Sequence, residues 1–290
     1  MYLCDQWRDY EVLDTGDGEK LERWGRIILR RPDPQVIWPK AQPEKWKQAQ
    51  AVYQRSESGG GHWDFREKLP DRWTIGLGNL QFYVKPTGFK HTGLFPEQAA
   101  NWQFMQRRIQ AAGGWDHAPK VLNLFAYTGG ATLACAAAGA HVTHVDAAKG
   151  MVLWARENRD LTGLPQESTR FIVEDAKAFV RREIRRGNHY DGILMDPPSY
   201  GRGPNGEVWK LEDELYPLVD LCSQVLSDMP LFFLINGYTT GFCASVLRNI
   251  AQRCLCPRFG GHADADELCL KVTSGGVLPC GTTARWTPDE

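Results

Sequence analysis

The sequence predicts an α/β fold in which a doubly wound parallel sheet follows a small β-rich region. From Lys120 onward, short apolar strands alternate with helices in a regular order, which is typical of a parallel sheet covered by helices on both faces. The chain before Asp116 holds eight of the eleven tryptophans and has the composition of strands broken by proline, glycine and polar turns. We therefore expect a small β-rich domain over residues 1–88 and a larger domain over residues 89–290.

Each element is predicted from its hydrophobic pattern and its flanking turn residues. In the first third, strands are predicted within RWGRIILRR and WTIGLGNLQFYVKP. Later strands are predicted at KVLNLF, HVTHVDA, TRFIVED, YDGILM and PLFFLIN, with two weaker ones around ELCLKV and TARW. Helices are predicted at GGATLACAAAG, GMVLWARENRDL, AKAFVRREIRR, LEDELYPLVDLCSQVLS and TGFCASVLRNIAQRC.

Composition narrows the class of protein. The chain has 290 residues, of which 42% are hydrophobic and 24% charged, so it is long enough to bury a core without stabilising cross-links. Its eight cysteines form no CxxC pair, and no signal peptide or long apolar run is present. These features predict a reduced, cytoplasmic protein with unpaired thiols and no membrane span.

The charge is unevenly distributed along the chain. The formal net charge is −1, yet residues 20–90 hold 14 lysines and arginines against 7 acidic residues. That stretch has a net charge of +7 and the remainder a net charge of −8. A local basic face is expected to matter more for a polyanionic partner than the total charge does.

Unusual residues follow four of the predicted strands. AYTGG comes after KVLNLF, and Asp146, Asp175 and Asp196 each come at or just after the end of a later strand. Ligands of such sheets bind at the carboxyl ends of the strands, where helix N-termini attract anions and an acid accepts hydrogen bonds from ribose hydroxyls. Together these residues predict a cleft for an adenosine-type ligand.

Each of these features is also compatible with a purely structural role. The GG pair is ordinary turn geometry, and Asp146 and Asp175 are equally suited to capping helices. A dinucleotide site is disfavoured because G-x-G-x-x-G is absent, and a phosphate-binding P-loop is disfavoured because its G-K-[ST] is absent.

Four segments resemble a known family, namely LNLFAYTGGATLACAAAGA, VDAAKGMVLWARENRDLTGL, FIVEDAKAFV and DPPSYGRG. They resemble the class I S-adenosylmethionine-dependent methyltransferases, in the branch that contains the large-subunit ribosomal RNA methyltransferases. FKHTGLFPEQAANW is similar to the segment that leads into the methyltransferase domain of that branch. The resemblance implies a Rossmann-like, seven-stranded class I methyltransferase domain, with a small β-rich N-terminal domain. It also implies S-adenosylmethionine as cofactor and S-adenosylhomocysteine as product.

The resemblance also implies roles for individual residues at the cofactor site. The turn from Phe125 to Gly129 would wrap the methionine moiety of the cofactor, and Gln98 would approach its carboxylate. Asp146 would hold the ribose hydroxyls, and Asp175 would contact the adenine. The sequence departs from the family at Ala99, Ala100 and Trp102, where polar or charged residues are usual. The implied cofactor-binding residues are Gln98, Phe125, Ala126, Tyr127, Thr128, Gly129, Asp146, Ala147, Asp175, Ala176 and Asp196.

The DPPSY segment is suited to holding the group that receives the methyl. Asp196 is followed by Pro197 and Pro198, which have no N–H to donate, so this strand end presents mainly acceptor oxygens. Such a tip accepts hydrogen bonds from an amino group and aligns its lone pair with the methyl donor. Tyr200 is placed to stack on a flat base. These four residues are the predicted catalytic group.

A cysteine nucleophile is absent at its expected place. Cytosine-C5 methyltransferases of this branch use a thiolate after the fifth strand, where residues 236–239 read NGYT. Cys222 and Cys243 are expected to be core thiols. The sequence therefore favours methylation of an RNA base nitrogen, with ribosomal RNA as the favoured substrate and guanine ahead of adenine by family analogy.

The remaining expectations concern RNA docking, metal binding and alternative functions. The basic first third, including Arg30 and Arg31, is expected to dock RNA. HADAD at residues 262–266 is expected to be a solvated turn, and no metal site is expected. The alternative functions are methylation of a protein side chain or small molecule, and a non-catalytic RNA-binding or assembly role.

Overall fold

The computed structural model describes residues 1–56, 60–202, 208–239 and 241–289. The chain divides into two compact units. The larger unit contains residues 1–2, 100–268 and 281–290, and the smaller unit contains residues 3–99 and 269–280. The expected domain boundary after residue 88 stays a prediction, because a compact unit need not fold independently.

The described residues form seventeen strands and six α-helices, numbered here in chain order. The strands are β1 (Tyr2–Cys4), β2 (Tyr10–Gly16), β3 (Glu19–Trp24), β4 (Ile27–Pro32), β5 (Ala51–Arg55), β6 (Gly61–Phe65), β7 (Trp73–Leu77), β8 (Leu80–Val84), β9 (Lys120–Leu124), β10 (His141–Asp146), β11 (Thr169–Val173), β12 (Gly192–Met195), β13 (Tyr200–Arg202), β14 (Val208–Lys210), β15 (Phe232–Gly237), β16 (His262–Lys271) and β17 (Val277–Thr287). The α-helices are α1 (Ala99–Ala111), α2 (Gly130–Ala137), α3 (Lys149–Thr162), α4 (Ala176–Arg186), α5 (Leu211–Ser223) and α6 (Ala244–Phe259). Short 3-10 helices occupy Pro43–Gln48, Pro96–Gln98, Gly114–Asp116 and Gln166–Ser168.

The central sheet has the strand order β1-β16-β17-β15-β12-β9-β10-β11. Its strands from β15 to β11 are parallel, whereas β17 is antiparallel to β15. The α/β fold class is confirmed. The seven strands expected from residues 89–290 are all present in this sheet, and the short strand β1, from the start of the chain, adds an eighth at the edge beside β16.

The topology explains why the helices cover both faces of the sheet. The chain runs outward through β9, β10 and β11, then returns to the other side of β9 for β12 and β15. Since crossovers between parallel strands are right-handed, this reversal puts α2 and α3 on one face and α4, α5 and α6 on the other. The second group buries apolar side chains in a common core that includes Phe179, Leu218 and Leu247.

The smaller unit is built around a five-stranded sheet of order β2-β3-β4-β5-β6, accompanied by the β7–β8 hairpin. The predicted β-rich character of the first third is therefore confirmed. A small core packs Leu21, Trp46, Ala49 and Val52 together.

Arg30 and Arg31 of the smaller unit are paired with carboxylates and do not belong to a free basic face. Arg31 is 6% exposed and makes two hydrogen bonds to the buried carboxylate of Glu22, at 2.6 and 2.7 Å. Arg30 pairs with Glu19 at 2.6 Å. The expectation that these two arginines dock RNA is wrong for Arg31, because its guanidinium is buried and already paired. The net charge of residues 20–90 overstated the free positive charge, because several carboxylates that pair with the lysines and arginines of this stretch precede residue 20.

Candidate active site

The ends of the parallel strands lie in one row. Leu124 pairs in register with Val145 on one side and with Met195 on the other, and Met195 pairs with Ile235. The residues that follow, Phe125, Asp146, Asp196 and Asn236, therefore come together at the carboxyl edge of the sheet. This is the edge where the sequence predicted a ligand cleft.

The turn from Phe125 to Gly129 adopts an unusual backbone conformation. Phe125 has φ +54° and Tyr127 has φ +50°, so both lie in the left-handed region that side chains disfavour. Such conformations cost on the order of 1–3 kcal/mol each and concentrate at functional sites. Gly129, the N-cap of α2, has φ +87°, and a Cβ there would lie 3.0 Å from the Cβ of Ala155. The backbone of this turn is thus held in a fixed, tight shape.

Asp146 holds that turn through its carboxylate. One oxygen accepts the Tyr127 N–H and the other accepts the Ala148 N–H, each at 2.8 Å. Burial raises the pKa of Asp146, and the two amide donors oppose the rise. Each carboxylate oxygen can accept a further hydrogen bond, so this arrangement is compatible with the predicted ribose role. Ala147 is exposed between the strand and α3.

Asp175 caps a helix, which is one of the two roles that the sequence allowed. It is the N-cap of α4, and its side chain accepts the Ala178 N–H at 2.9 Å. The side chain is exposed, and Ala176 follows as the first helical residue. The N–H groups of a first helical turn have no intrahelical acceptor. The predicted contacts of Asp175 and Ala176 with adenine stay predictions that this local geometry permits.

Packing explains in part why Trp102 stands where the family usually has a polar or charged residue. A Cβ on Gly130 would lie 2.5 Å from Cζ2 of Trp102, so the indole fits closely against the start of α2. Trp102 is 3% exposed. Gln98 is buried at the end of a 3-10 helix of the smaller unit, and its predicted approach to the cofactor carboxylate stays a prediction.

The strand end at Asp196 presents acceptor groups. Pro197 is buried, whereas Pro198 and Ser199 are exposed. The Pro198 carbonyl accepts a hydrogen bond of 2.6 Å from the indole N–H of Trp209. The Ser199 hydroxyl contacts the hydroxyl of Thr239, which follows β15. Tyr200 is 53% exposed, which suits the predicted stacking role. Part of the glycine-rich loop that follows, residues 203–207, lies outside the described residues.

Trp209 is a site residue that sequence reasoning missed. Its ring centroid lies 5.6 Å from that of Phe125, and the Lys177 ammonium lies 5.4 Å from it. Lys177 also pairs with Glu214 on α5. No local sequence pattern marks Trp209 as a site residue, because it follows a loop. Its position depends on the pairing of β14 with β13, which sets Gly201 opposite Trp209.

A buried polar network lies beside the predicted catalytic group. Asn101 Nδ2 donates to Asn236 Oδ1 at 2.9 Å and to Thr283 Oγ1 at 3.2 Å. Arg285 Nε donates to Asn101 Oδ1 at 2.9 Å, and burial lowers the pKa of Arg285 to about 10. The network fixes the end of β15 next to the Asp196 strand end.

The two cysteines singled out by the sequence differ in their surroundings. Cys222 is fully buried in α5, and burial raises the pKa of its thiol. Cys243 is exposed at the N-cap of α6. The expectation of a core thiol is confirmed for Cys222 and wrong for Cys243, because α6 begins at Ala244 and leaves the preceding residue outside the helix.

The HADAD segment is part of a strand. His262, Asp264 and Asp266 lie on β16, with side chains 64%, 71% and 48% exposed. The expected turn is wrong, although the expected solvation is confirmed. Within the described ranges, no group of three His, Cys, Asp or Glu side chains is arranged to hold a metal ion. No helix in those ranges combines the length and apolarity needed to cross a membrane.

This geometry fits a nucleoside-bearing cofactor. The tight turn, the adjacent helix N-terminus and the carboxylates of Asp146 and Asp175 lie at the ends of successive strands. Backbone amides there suit a carboxylate, and side-chain carboxylates suit ribose or amino donors.

Comparison with known proteins supports the assignment of a nucleoside-bearing cofactor to this site. Residues 34–215 match the family described as S-adenosylmethionine-dependent methyltransferase. The crystal structure of the SAM-dependent methyltransferase from Agrobacterium tumefaciens is 37% identical and has a TM-score of 0.93, with 99% of this chain and 93% of that chain covered.

Two curated relatives carry ribosomal RNA names. The ribosomal RNA large subunit methyltransferase K/L of Syntrophotalea carbinolica is 29% identical over 186 residues, which cover 63% of this chain and 25% of that protein. The ribosomal RNA large subunit methyltransferase K of Neisseria meningitidis is 25% identical over 239 residues, covering 77% of this chain and 64% of that protein. The chain thus spans a quarter of the first relative. It belongs to the S-adenosylmethionine-dependent methyltransferase family and is an enzyme that uses S-adenosylmethionine as its cofactor.

Proposed function

We propose that the enzyme methylates a nitrogen of an RNA base, with ribosomal RNA as the favoured substrate, and that it does so without a cysteine nucleophile. The main support for this proposal is the position of the acceptor groups of Asp196 and Pro197. They lie beside the Phe125 turn, because Met195 and Leu124, which precede them, pair in register. An acceptor group beside the cofactor turn suits a substrate that offers an N–H.

The acceptors have distinct surroundings. The indole of Trp209 occupies the Pro198 carbonyl, and Pro197 and Pro198 have no N–H. Among the described residues, no donor forms a hydrogen bond with the Pro197 carbonyl. We assign the Asp196 carboxylate and the Pro197 carbonyl as the two acceptor groups for the substrate amino group.

The chemistry required of these residues is modest. Bound S-adenosylmethionine supplies an electrophilic methyl group. The two acceptor oxygens orient the nitrogen lone pair toward that methyl, so that the N–C bond forms as the S–C bond breaks. The nitrogen then loses a proton, which Asp196 accepts or passes to water. Alignment of this kind supplies much of the rate without a strong base.

The competing mechanism is covalent cytosine-C5 methylation, which needs a reactive cysteine thiol. Cys222 is buried, and its raised pKa keeps the thiol protonated, so it is unsuited to attack. Cys243 is exposed and belongs to the segment that follows Thr239. Covalent cytosine-C5 methylation would have to use a thiol of this kind, which makes Cys243 the informative position.

RNA is favoured because both curated relatives described above are named as ribosomal RNA methyltransferases. Under this proposal the described carboxylates serve catalysis, which disfavours a purely non-catalytic assembly role. Methylation of a protein side chain or a small molecule is the remaining alternative.

The deciding experiment compares ribosomal RNA nucleosides, by mass spectrometry, from cells with and without the gene. Loss of one N-methylated nucleoside, restored by the purified enzyme with S-adenosylmethionine, is the expected result. An unchanged nucleoside profile would favour the protein or small-molecule alternative, and loss of 5-methylcytidine would favour the thiol mechanism.

A further inference from the structure

The smaller unit carries exposed aromatic and basic side chains at one edge of its five-stranded sheet. β6 is the last strand of that sheet, and Phe65 at its end is 56% exposed. Tyr53 pairs with Trp63, and Arg55 pairs with Gly61. Opposed residues of antiparallel strands share a face and alternate residues return to it, so Arg55, Trp63 and Phe65 lie on the same face.

The segment after β8 lies against this face. The indole N–H of Trp63 lies 3.0 Å from the carbonyl oxygen of Thr87 and 3.2 Å from that of Phe89. Arg31 Nη1 donates to the carbonyl oxygen of Lys90 at 2.9 Å. Phe89 is 66% exposed. These contacts hold the backbone of Phe89 against Trp63 and the backbone of Lys90 against Arg31.

The positive charge of this face is not fully balanced. Lys20 pairs with Asp33, and Arg31 pairs with Glu22. For Arg55 and Lys90, in contrast, no carboxylate of the described residues lies within 4.0 Å. Burial lowers the pKa of Lys90, and the nearby cations, Arg55 among them, lower it further while Asp33 opposes them. An anion would relieve this repulsion between cations.

We propose that Arg55, Phe65, Phe89 and Lys90, here called the aromatic–basic edge, form a docking surface for single-stranded RNA. Arg55 and Lys90 contact phosphates, and unpaired bases stack on the two phenylalanine rings. The inference rests on the proposed function, since it supplies the surface that holds an RNA substrate. Cations interleaved with exposed rings fit a single strand better than an acidic protein, because every base offers a flat face for stacking.

The test measures binding of a fluorescein-labelled, mixed-sequence single-stranded RNA to the full chain at several salt concentrations. Phe65→Ala with Phe89→Ala should weaken binding by about 5- to 150-fold for each ring that stacks a base. Arg55→Gln with Lys90→Gln should weaken binding and make the logarithmic salt dependence shallower by about 1.4, since each phosphate contact on a single strand contributes about 0.7.

Arg8→Gln with Arg26→Gln is the matched control, because it removes the same charge from exposed positions near β2 and β3. This control should bind RNA like the wild type, and S-adenosylmethionine affinity, measured by calorimetry, should be unchanged in all variants. Equal RNA affinity of the wild type and both edge variants overturns the inference, as does a wild type that binds no RNA or binds an acidic peptide in its place. Failure of the proposed function is seen separately, as absent methyl transfer by an enzyme that still binds RNA through this edge.

Discussion

The indole N–H of Trp209 donates a hydrogen bond of 2.6 Å to the carbonyl oxygen of Pro198. The same ring lies 5.6 Å from Phe125, whose backbone belongs to the turn predicted to bind the cofactor. Trp209 therefore connects the predicted substrate-binding strand end with that turn. It also occupies the Pro198 carbonyl, one of the acceptor groups at this strand end.

Trp209→Phe keeps an aromatic ring and removes the N–H, so it tests the hydrogen bond separately from the packing. We expect turnover to fall by about 2- to 10-fold, which corresponds to about 0.5–1.5 kcal/mol for one neutral hydrogen bond. S-adenosylmethionine affinity should change little. Single-turnover rates and calorimetry measure the two effects, and unchanged turnover would show that the Pro198 carbonyl needs no partner.

Asp146→Ala should weaken S-adenosylmethionine binding by about 1.5–3 kcal/mol, because it removes a charged acceptor. The Tyr127 and Ala148 amides lose their partner as well, so the turn should loosen. Calorimetry on Asp146→Ala and Asp146→Asn checks this, with urea unfolding as the control for folding. Wild-type affinity in a well-folded Asp146→Ala protein would remove the ribose assignment.

The parallel strands β9 to β12 and β15 were predictable because each is a short apolar run that ends at a turn or helix-capping residue. The register of those strands then brings Phe125, Asp146 and Asp196 together without further information. β1 was missed because Tyr2–Cys4 is too short to show a period. Its place depends on pairing with distant β16.

The site was less predictable where a residue depends on tertiary contacts. Trp209 and the Asn101–Asn236–Thr283 network involve residues far apart in the chain, and no local motif marks them. The charge of Arg31 was visible in the sequence, but its burial against Glu22 was not. A charge count along the chain cannot reveal which cations are already paired across strands.

Arg31→Gln should be far more destabilising than Arg30→Gln. The first leaves the buried Glu22 carboxylate without its partner, which costs about 3–5 kcal/mol, whereas the second disrupts the more exposed pair with Glu19, worth about 1 kcal/mol or less. Burial alone would raise the pKa of Glu22, but Arg31 and Lys20 outweigh it and lower the pKa to about 2. Urea unfolding of the two variants gives the comparison, and equal losses would contradict the ion-pair account.

Folding stability should depend on His91 in mildly acidic solution. Burial, followed by the charges of Arg31, Lys90 and Lys20, lowers the pKa of His91 to about 4 from 6.5. The unfolded chain therefore binds a proton between about pH 6.5 and 4 that the folded chain does not, so stability falls as the pH falls through this range. His91→Gln should flatten the pH dependence of the unfolding free energy there. An identical pH slope in the variant would refute the assignment.

In the proposed mechanism, Asp196 aligns a substrate nitrogen and no thiol attacks the base. Asp196→Ala tests alignment because it removes an acceptor at the reacting atom, and Cys243→Ser tests the exposed thiol, with the buried Cys222→Ser as a second thiol control. Since a buried hydroxyl can cost stability, turnover should be expressed per folded molecule.

The most direct measurement is the single-turnover rate of methyl transfer to ribosomal RNA by these variants, set against their S-adenosylmethionine affinity. We predict that Asp196→Ala lowers the rate by at least about 100-fold, or about 2.7 kcal/mol, and that S-adenosylmethionine affinity falls far less. Both cysteine variants should retain the rate, and no covalent adduct should form with RNA containing 5-fluorocytosine. A trapped adduct, or a Cys243→Ser protein that folds and binds cofactor but transfers no methyl, would contradict the account.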